Sequence, residues 1–417
     1  MDKLLETLCG KLVRFGNLTV RTSKGHRFPA GDGAGKPIEI SFRDRRAELR
    51  FLRNPALTLG EAYMDGDIEI AGADLYEFVE LALRNYDAME MAGWLRFLEK
   101  ARFATRRLRQ NNFAAASRNN VAHHYDLDVR LYSLFLDPDM QYSCAYFASP
   151  DDTLEDAQLA KKRHIAAKLL VDPGHSVLDI GCGWGGMGLY LAEACEAKIT
   201  GVTLSTEQLA IANRRALESG RRHNIAFRLQ DYRAIDQKFD RIVSVGMLEH
   251  VGAAWLETYF RKIADMLEKD GVALIHTIGR PEGPGATNPW IAKYIFPGGY
   301  IPAMSELAAA IEKAGLLICD VEILRLHYAE TLKRWRERFT LRREEAKAIY
   351  DERFCRMWEF YLAASEAAFR LGQNIVYQLQ IARDVNVVPF TRDYILERER
   401  QLRAREPQPA PMRMAGE

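Results

Sequence analysis

The turn V-L-D-I-G-C-G-W-G-G at 177–186 constrains this chain more than any other stretch. It ends an apolar run and opens an amphipathic one, so it reads as the passage from a buried strand into a helix. Gly181 and Gly183 permit a tight turn and let a ligand approach the backbone, and the helix that follows offers free N–H groups. Around the turn, helix 153–171, strand 175–181, helix 184–196, strand 197–204, helix 205–219 and strand 225–231 alternate. Strand 239–248, helix 254–268 and strand 271–279 continue the series. This alternation predicts an α/β fold on a mostly parallel sheet, with its crevice at the carboxyl ends of the strands.

A glycine turn alone fits a nucleotide phosphate as well as anything else. Two details argue against a dinucleotide. Asp179 precedes the glycines, where a carboxylate orders the loop and meets a cationic ligand. The next strand ends in Thr203-Leu204-Ser205, without the acidic residue that holds a ribose diol. The D-x-G-x-G form on a parallel sheet instead resembles the S-adenosylmethionine loop of class I methyltransferases. Asp231-Tyr232, closing a third strand, would pair the adenine amine and stack on its ring; a plain strand end is the other reading.

The first 110 residues have a different texture. Residues 38–52 alternate apolar and charged side chains and predict paired strands with a basic face of Arg43, Arg45, Arg46, Arg50 and Arg53. Helical spacing follows at 74–86 and 93–110. The latter interleaves Trp94, Leu95, Phe97, Leu98, Phe103 and Leu108 with Lys100, Arg102, Arg106, Arg107 and Arg109. Such a helix lies on a membrane surface or binds a partner; a solvated helix with one buried side is the bland alternative. The small, polar stretch 110–120 is placed as a linker. It separates a docking domain, 1–115, from a catalytic domain, 116–400, and the Pro-rich tail 401–417 is expected to be disordered.

Composition narrows the class. Charges nearly cancel, 58 Lys and Arg against 57 Asp and Glu, which argues against a nucleic-acid binder. Six scattered cysteines form no C-x-x-C pair and fit a reducing compartment. No apolar run reaches the roughly 20 residues of a spanning helix, and the N-terminus is too charged for a secretory signal. A cytoplasmic protein is expected. The adjacent His123 and His124 do not face one way on a helix and lack a Cys/His cluster, so no metal is expected.

Several motifs occur in one family's order: H-H-Y-D-L (123–127), D-P-x-M-Q-Y-S-C-A-Y-F (137–147), the 177–186 turn, G-V-T-L-S-x-x-Q (201–208) and G-M-L-E-H-V-G (246–252). Y-I-F-P-G-G-x-x-P (294–302) and R-M-W-x-x-Y-L (356–362) follow. Together they resemble the cyclopropane-fatty-acid synthase family of S-adenosylmethionine-dependent lipid methyltransferases, from about residue 59 to 380. The resemblance implies a class I methyltransferase, Rossmann-like fold: a mostly parallel seven-stranded sheet with a smaller N-terminal α+β domain. In that family a methyl passes from the sulfonium to a cis double bond of an acyl chain, and the resulting cation loses a proton and closes to a cyclopropane. An unactivated alkene must be held in line with the donor, and its cation must be kept dry. Tyr142, Tyr146, Phe147 and Tyr328 are candidate aromatic faces for the cation.

The resemblance implies bound bicarbonate as the base, held by Cys144, Glu249, His276, Ile278 and Tyr328. Backbone at Cys144 and Ile278 and the other three side chains would form the site, with Glu249 fixing His276 or the bicarbonate proton. Taken singly, these are a small buried cysteine, a helix-terminal carboxylate and a satisfied core histidine. Cofactor contacts are implied at Tyr142, Ser143, Asp179, Gly181, Gly183, Trp184, Gly185, Thr203, Leu204, Ser205, Gln208, Asp231 and Tyr232. The implied partners are a phospholipid bilayer surface at the inner membrane face, unsaturated acyl chains and, left open, a second copy of the chain. Ser365 and Glu366 depart from the family's smaller residues. If Glu366 faces the cation, a methyl-branched or methylene product replaces the ring; if it faces solvent, it has no such effect. A small-molecule N- or C-methyltransferase and a non-catalytic lipid binder are the remaining alternatives.

Overall fold

In the computed structural model, residues 1–86, 93–109 and 128–406 are described. The expected linker and His123-His124 fall outside them. Strands β1 (Asn17–Arg21), β2 (Arg27–Ala30), β3 (Pro37–Phe42) and β4 (Ile68–Ala71) form a four-stranded sheet in the order β2-β1-β3-β4. Helices α1 (Asp2–Leu12), α2 (Arg45–Arg53), α3 (Pro55–Met64), α4 (Leu75–Arg84) and α5 (Gly93–Arg109) accompany it.

The paired strands expected over 38–52 are half strand and half helix. β3 stops at Phe42, and Asp44 caps α2 by accepting the Ala47 N–H at 2.9 Å. From there Ala47 and Phe51 bury one face at helical spacing, and buried Glu48 accepts the Ser23 N–H. The arginines of 45–53 therefore lie on a helix and not on a strand.

The second sheet has seven strands: β5 (Ser176–Ile180), β6 (Lys198–Thr203), β7 (Ile225–Leu229), β8 (Phe239–Val245), β9 (Leu267–Gly279), β10 (Leu317–Leu324) and β11 (Ile375–Ala382). Their order is β10-β11-β9-β8-β5-β6-β7. β5 through β9 pair in parallel, while β11 runs antiparallel between β9 and β10. The chain leaves β5 for β6 on one side and returns to β8 on the other, which opens a crevice above the carboxyl ends of β5 and β8. Helices α6 (Leu154–Lys168), α7 (Gly186–Ala194), α8 (Thr206–Glu218), α9 (Leu256–Met266), α10 (His327–Leu341), α11 (Glu352–Arg370) and α12 (Asp393–Arg405) complete the α/β arrangement.

Helix α6 is unusual in what it buries. Lys161, Lys162, Arg163, His164 and Lys168 are all nearly inaccessible, each with a polar partner. One of those partners corrects an expectation. Residues 401–405 continue α12, and Glu406 accepts from Arg163 and from the Tyr190 hydroxyl at 2.6 Å. Residues 401–405 are thus helical and Glu406 is anchored, at the start of the stretch expected to be disordered.

Glu366 on α11 meets neither of its two expected fates. It is 2% exposed, with Arg336 donating at 2.8 Å and Arg370 at 3.3 Å. Arg336 in turn lies 4.8 Å over the ring of Tyr76 on α4, so the carboxylate helps tie α10 and α11 to the N-terminal segment. Glu366→Ala leaves two partly solvated arginines without their buried partner and is expected to lower stability by about 3 kcal/mol. Urea unfolding checks this. A normal midpoint with an altered lipid product would return Glu366 to the chemistry.

Candidate active site

The crevice is built from the turn upward. Gly181 has φ +80° and Gly183 φ +53°, and these left-handed residues swing the chain from β5 into α7. A Cβ at Gly183 would meet nothing within 4 Å and would stand in open space. Asp179, Gly181, Gly183, Trp184, Thr203, Leu204, Gln208, Asp231 and Tyr232 line the pocket, with Tyr142 and Ser143 closing it from the preceding loop. Eleven of the thirteen cofactor residues expected from the sequence thus face one cavity.

The other two stand behind it. Gly185 is the left-handed N-cap of α7, where a Cβ would strike Phe227 at 2.8 Å. Ser205 caps α8 by accepting the Gln208 N–H at 3.2 Å. Gly246, Met247 and His250 also form part of the wall. The sequence drew attention to their segment for Glu249 alone. Burial holds His250 down at about 4, so its imidazole is neutral.

Electrostatics favour a cationic ligand beside β5. Asp179 is 2% exposed and its Oδ2 has no partner, and burial pushes its carboxyl up to about 7. A sulfonium or ammonium would supply the missing countercharge. The carboxylate of Asp231 is engaged by Arg233, at 2.9 Å from Nε and 2.7 Å from the terminal nitrogen, while it lines the same wall. Ser143 and Gln141 accept from the Lys161 ammonium at 2.8 and 2.7 Å, which fixes the loop across the pocket. Burial draws Lys161 down to about 8.

The aromatic faces divide. The Tyr142 and Tyr361 hydroxyls lie 2.9 Å apart, Tyr142 stacks on Trp335, and Tyr328 meets Trp335 edge-on. Tyr146 is taken: His164 stacks on it at 4.3 Å and His327 at 4.9 Å. Phe147 lies under the Arg334 guanidinium at 4.5 Å. Two imidazoles thus take Tyr146, and Phe147 already faces a guanidinium whose charge would repel a substrate cation, so Tyr146 and Phe147 drop out of the expected four.

Glu249 follows the Gly246 turn after β8. Its Oε1 accepts the Ile278 N–H at 2.6 Å, its Oε2 is buried without a partner, and burial raises its pKa. Ile278 packs against the core that holds Cys144, Tyr328 and Val376. The Ala145 N–H, donating to Thr331 Oγ1, ties the Cys144 loop to helix α10, which carries Tyr328. Burial raises the Cys144 thiol, so it is not a thiolate. The expected bond from Glu249 to His276 is absent. Glu249 holds the Ile278 amide, and His276 Nδ1 is bonded to Gln378.

Comparison with known proteins identifies the family. Residues 114–379 match the mycolic acid cyclopropane synthetase family, and residues 16–91 match a family described as a domain of unknown function. The cyclopropane-fatty-acyl-phospholipid synthase of Escherichia coli K12 is 39% identical over 351 residues, 84% of this chain and 89% of that protein. The tuberculostearic acid methyltransferase UfaA1 of Mycobacterium tuberculosis is 37% identical over 377 residues, 87% of each chain. Among solved structures, mycolic acid cyclopropane synthase CmaA1 complexed with SAH and CTAB superposes with a TM-score of 0.60 and 32% identity, covering 63% of this chain and 97% of that one. The cyclopropane synthase MmaA2 of Mycobacterium tuberculosis gives 0.61 and 33%, covering 64% and 98%. The glycine turn, the crevice it opens and these matches together make the chain a member of the mycolic acid cyclopropane synthetase family of S-adenosylmethionine-dependent methyltransferases.

Proposed function

We propose that this enzyme transfers the methyl carbon of S-adenosylmethionine to a cis double bond of an unsaturated phospholipid acyl chain, and that loss of a proton closes a cyclopropane. The carrying observation is Glu249: a buried carboxylate with one oxygen fixed by the Ile278 N–H and the other unpartnered, with Ile278 itself packing on the apolar cluster that includes Tyr328 and Cys144. A buried acceptor of this kind fits a protonated oxyanion, which makes bicarbonate compatible with the residues present. When bound, bicarbonate supplies a base for the proton leaving the new methyl group.

The chain's own residues do the rest. Asp179 meets the donor's positive charge. Tyr142, Tyr361 and Tyr328 offer electron-rich faces in a site that excludes water. Glu249 orients the base, Cys144 and Tyr328 wall it in, and Ile278 contributes through the Glu249 bond its amide already makes. With Glu366 neutralised by two arginines, the reason to expect a branched product is removed.

Expression in cells rich in monounsaturated phospholipid, followed by mass spectrometry of the fatty acids, tests the reaction. A gain of one CH2 unit with ring-type fragmentation is expected. A branched or methylene chain would give the methyl-transfer reading the other product, and no gain would overturn it.

Donor binding carries its own signature. A cation beside Asp179 favours the ionised carboxylate, so binding expels the proton that Asp179 holds below about pH 7. Affinity therefore rises with pH, by about tenfold between pH 6 and pH 8. Calorimetry on the wild type and on Asp179→Asn checks this, with the variant flat over that range.

Membrane docking is assigned to α5. Phe97 and Phe103 are 70% and 40% exposed, and Arg102 reaches Asn54. The side chains of Trp94, Leu95, Arg106, Arg107, Leu108 and Arg109 lie outside the described residues. No described helix is long and apolar enough to cross a bilayer, so acyl chains must be reached from a surface. Replacing Phe97 and Phe103 by serine removes about 1.5 kcal/mol of insertion for each ring. Co-sedimentation with anionic vesicles is expected to weaken at least tenfold, and wild-type binding to fade with salt.

A further inference from the structure

We infer that Lys168 and Gln378 lock His276 into the neutral tautomer with its proton on Nε2, so that His276 serves the reaction as a hydrogen-bond donor and not as its base. The inference rests on the functional reading above for the role, but not for the tautomer. His276 on β9 and Gln378 on β11 are register partners in an antiparallel pair, and both side chains are buried. The Gln378 amide lies between two groups: Nε2 is 3.2 Å from His276 Nδ1, and Oε1 is 3.1 Å from Lys168 Nζ.

Chemistry fixes which end of the amide faces which group. Lys168 is fully buried and ion-paired with Glu322, with Asp320 at 3.6 Å. An ammonium has donors only, so it must meet the amide oxygen. The NH2 group then points at His276 Nδ1, which must accept. A neutral imidazole that accepts at Nδ1 carries its proton on Nε2.

A second proton is opposed from several sides. Burial, with the charges of Lys161, Lys168 and His164 nearby, holds His276 down at about 3. His164 is itself cationic: burial works against its charge, but bonds to Glu322 and Glu399 at 2.7 and 2.6 Å more than offset this. The one lone-pair nitrogen of His276 is thus occupied by Gln378, and its free side presents N–H. Gln378 and Lys168 are positioning residues, two polar side chains that are themselves fully buried.

Nitrogen NMR of the full-length, 15N-histidine-labelled enzyme reads the tautomer directly. The His276 ring is assigned by the signals lost in His276→Asn, or by those that shift in Gln378→Met. The wild type is expected to show an unprotonated Nδ1 and a protonated Nε2, unchanged from pH 6 to 8. Gln378→Glu, whose carboxylate accepts from both neighbours, is expected to move the proton to Nδ1. Its kcat should fall about 10- to 100-fold, with KM and donor affinity within threefold. A protonated Nδ1 or a cationic ring in the wild type overturns the tautomer. A swapped tautomer with normal kcat overturns the donor role. Absence of acyl-chain methylation by the wild type would instead overturn the functional reading and leave the NMR result standing.

Discussion

Glu249→Ala is expected to lower kcat on unsaturated phospholipid vesicles by about 10³-fold, with S-adenosylmethionine affinity within threefold of the wild type. The carboxylate is neither a surface charge nor half of an ion pair. One oxygen is held by the Ile278 amide, the other is buried and unpartnered, and burial disfavours its charge. A group kept in that state does not stabilise the fold, so the unfolding midpoint of the alanine variant should hold or rise. This separates lost chemistry from lost structure. Glu249→Gln keeps the shape and an acceptor for Ile278 while removing the charge. It is expected to be nearly as slow as alanine, which assigns the effect to the carboxylate. Near-normal turnover in either variant would displace the base site from Glu249.

Gly183→Val is expected to weaken S-adenosylmethionine binding by more than about 100-fold. Two effects combine. The residue sits at φ +53°, where an L side chain costs roughly 1–2 kcal/mol and a β-branched one more. Its Cβ would also project into the open space that the ligand must fill. The neighbouring glycine behaves differently. At Gly185 the added carbon meets Phe227 and Ala212 in the core, so substitution there attacks folding before binding. Calorimetry with circular dichroism on both variants distinguishes the cases: a folded Gly183→Val that binds normally would remove the turn from the cofactor site.

Much of the catalytic half was legible because its signals are local. The period of apolar residues and the glycines at strand ends each depend on a few neighbours in sequence. The motif order placed Glu249, His276 and Tyr328 by resemblance, not by spacing. What could not be read depended on long-range pairing. Asp44 turned a run of alternating residues into a helix because tertiary burial of Ala47 and Phe51 outweighed their period of two. Glu366 could be placed only once Arg336 was known to lie beside it. Tyr146 looked available until two histidines from distant helices were found on its faces. The Gln378 link to His276 was equally hidden, although glutamines within the buried run I-V-Y-Q-L-Q-I-A are a signal that such a strand has polar business to conduct.

The order in which the sheet is threaded bears on how the enzyme is made. β9 carries His276 and Ile278, yet its outer neighbour is β11, and β10, synthesised earlier, pairs with β11 alone. On the ribosome, β9 therefore waits with one open edge and β10 without any partner while residues 280–374 emerge. Only β11 joins them. A nascent chain stalled or truncated within that interval presents an open edge on β9, and once β10 has emerged an unpaired strand as well, the condition under which chains pair with one another instead of with themselves. Truncations ending before residue 375 are expected in the insoluble fraction, and those ending at 406 in the soluble one, so the last piece of the catalytic wall to be translated is also the piece that makes the whole chain safe to release.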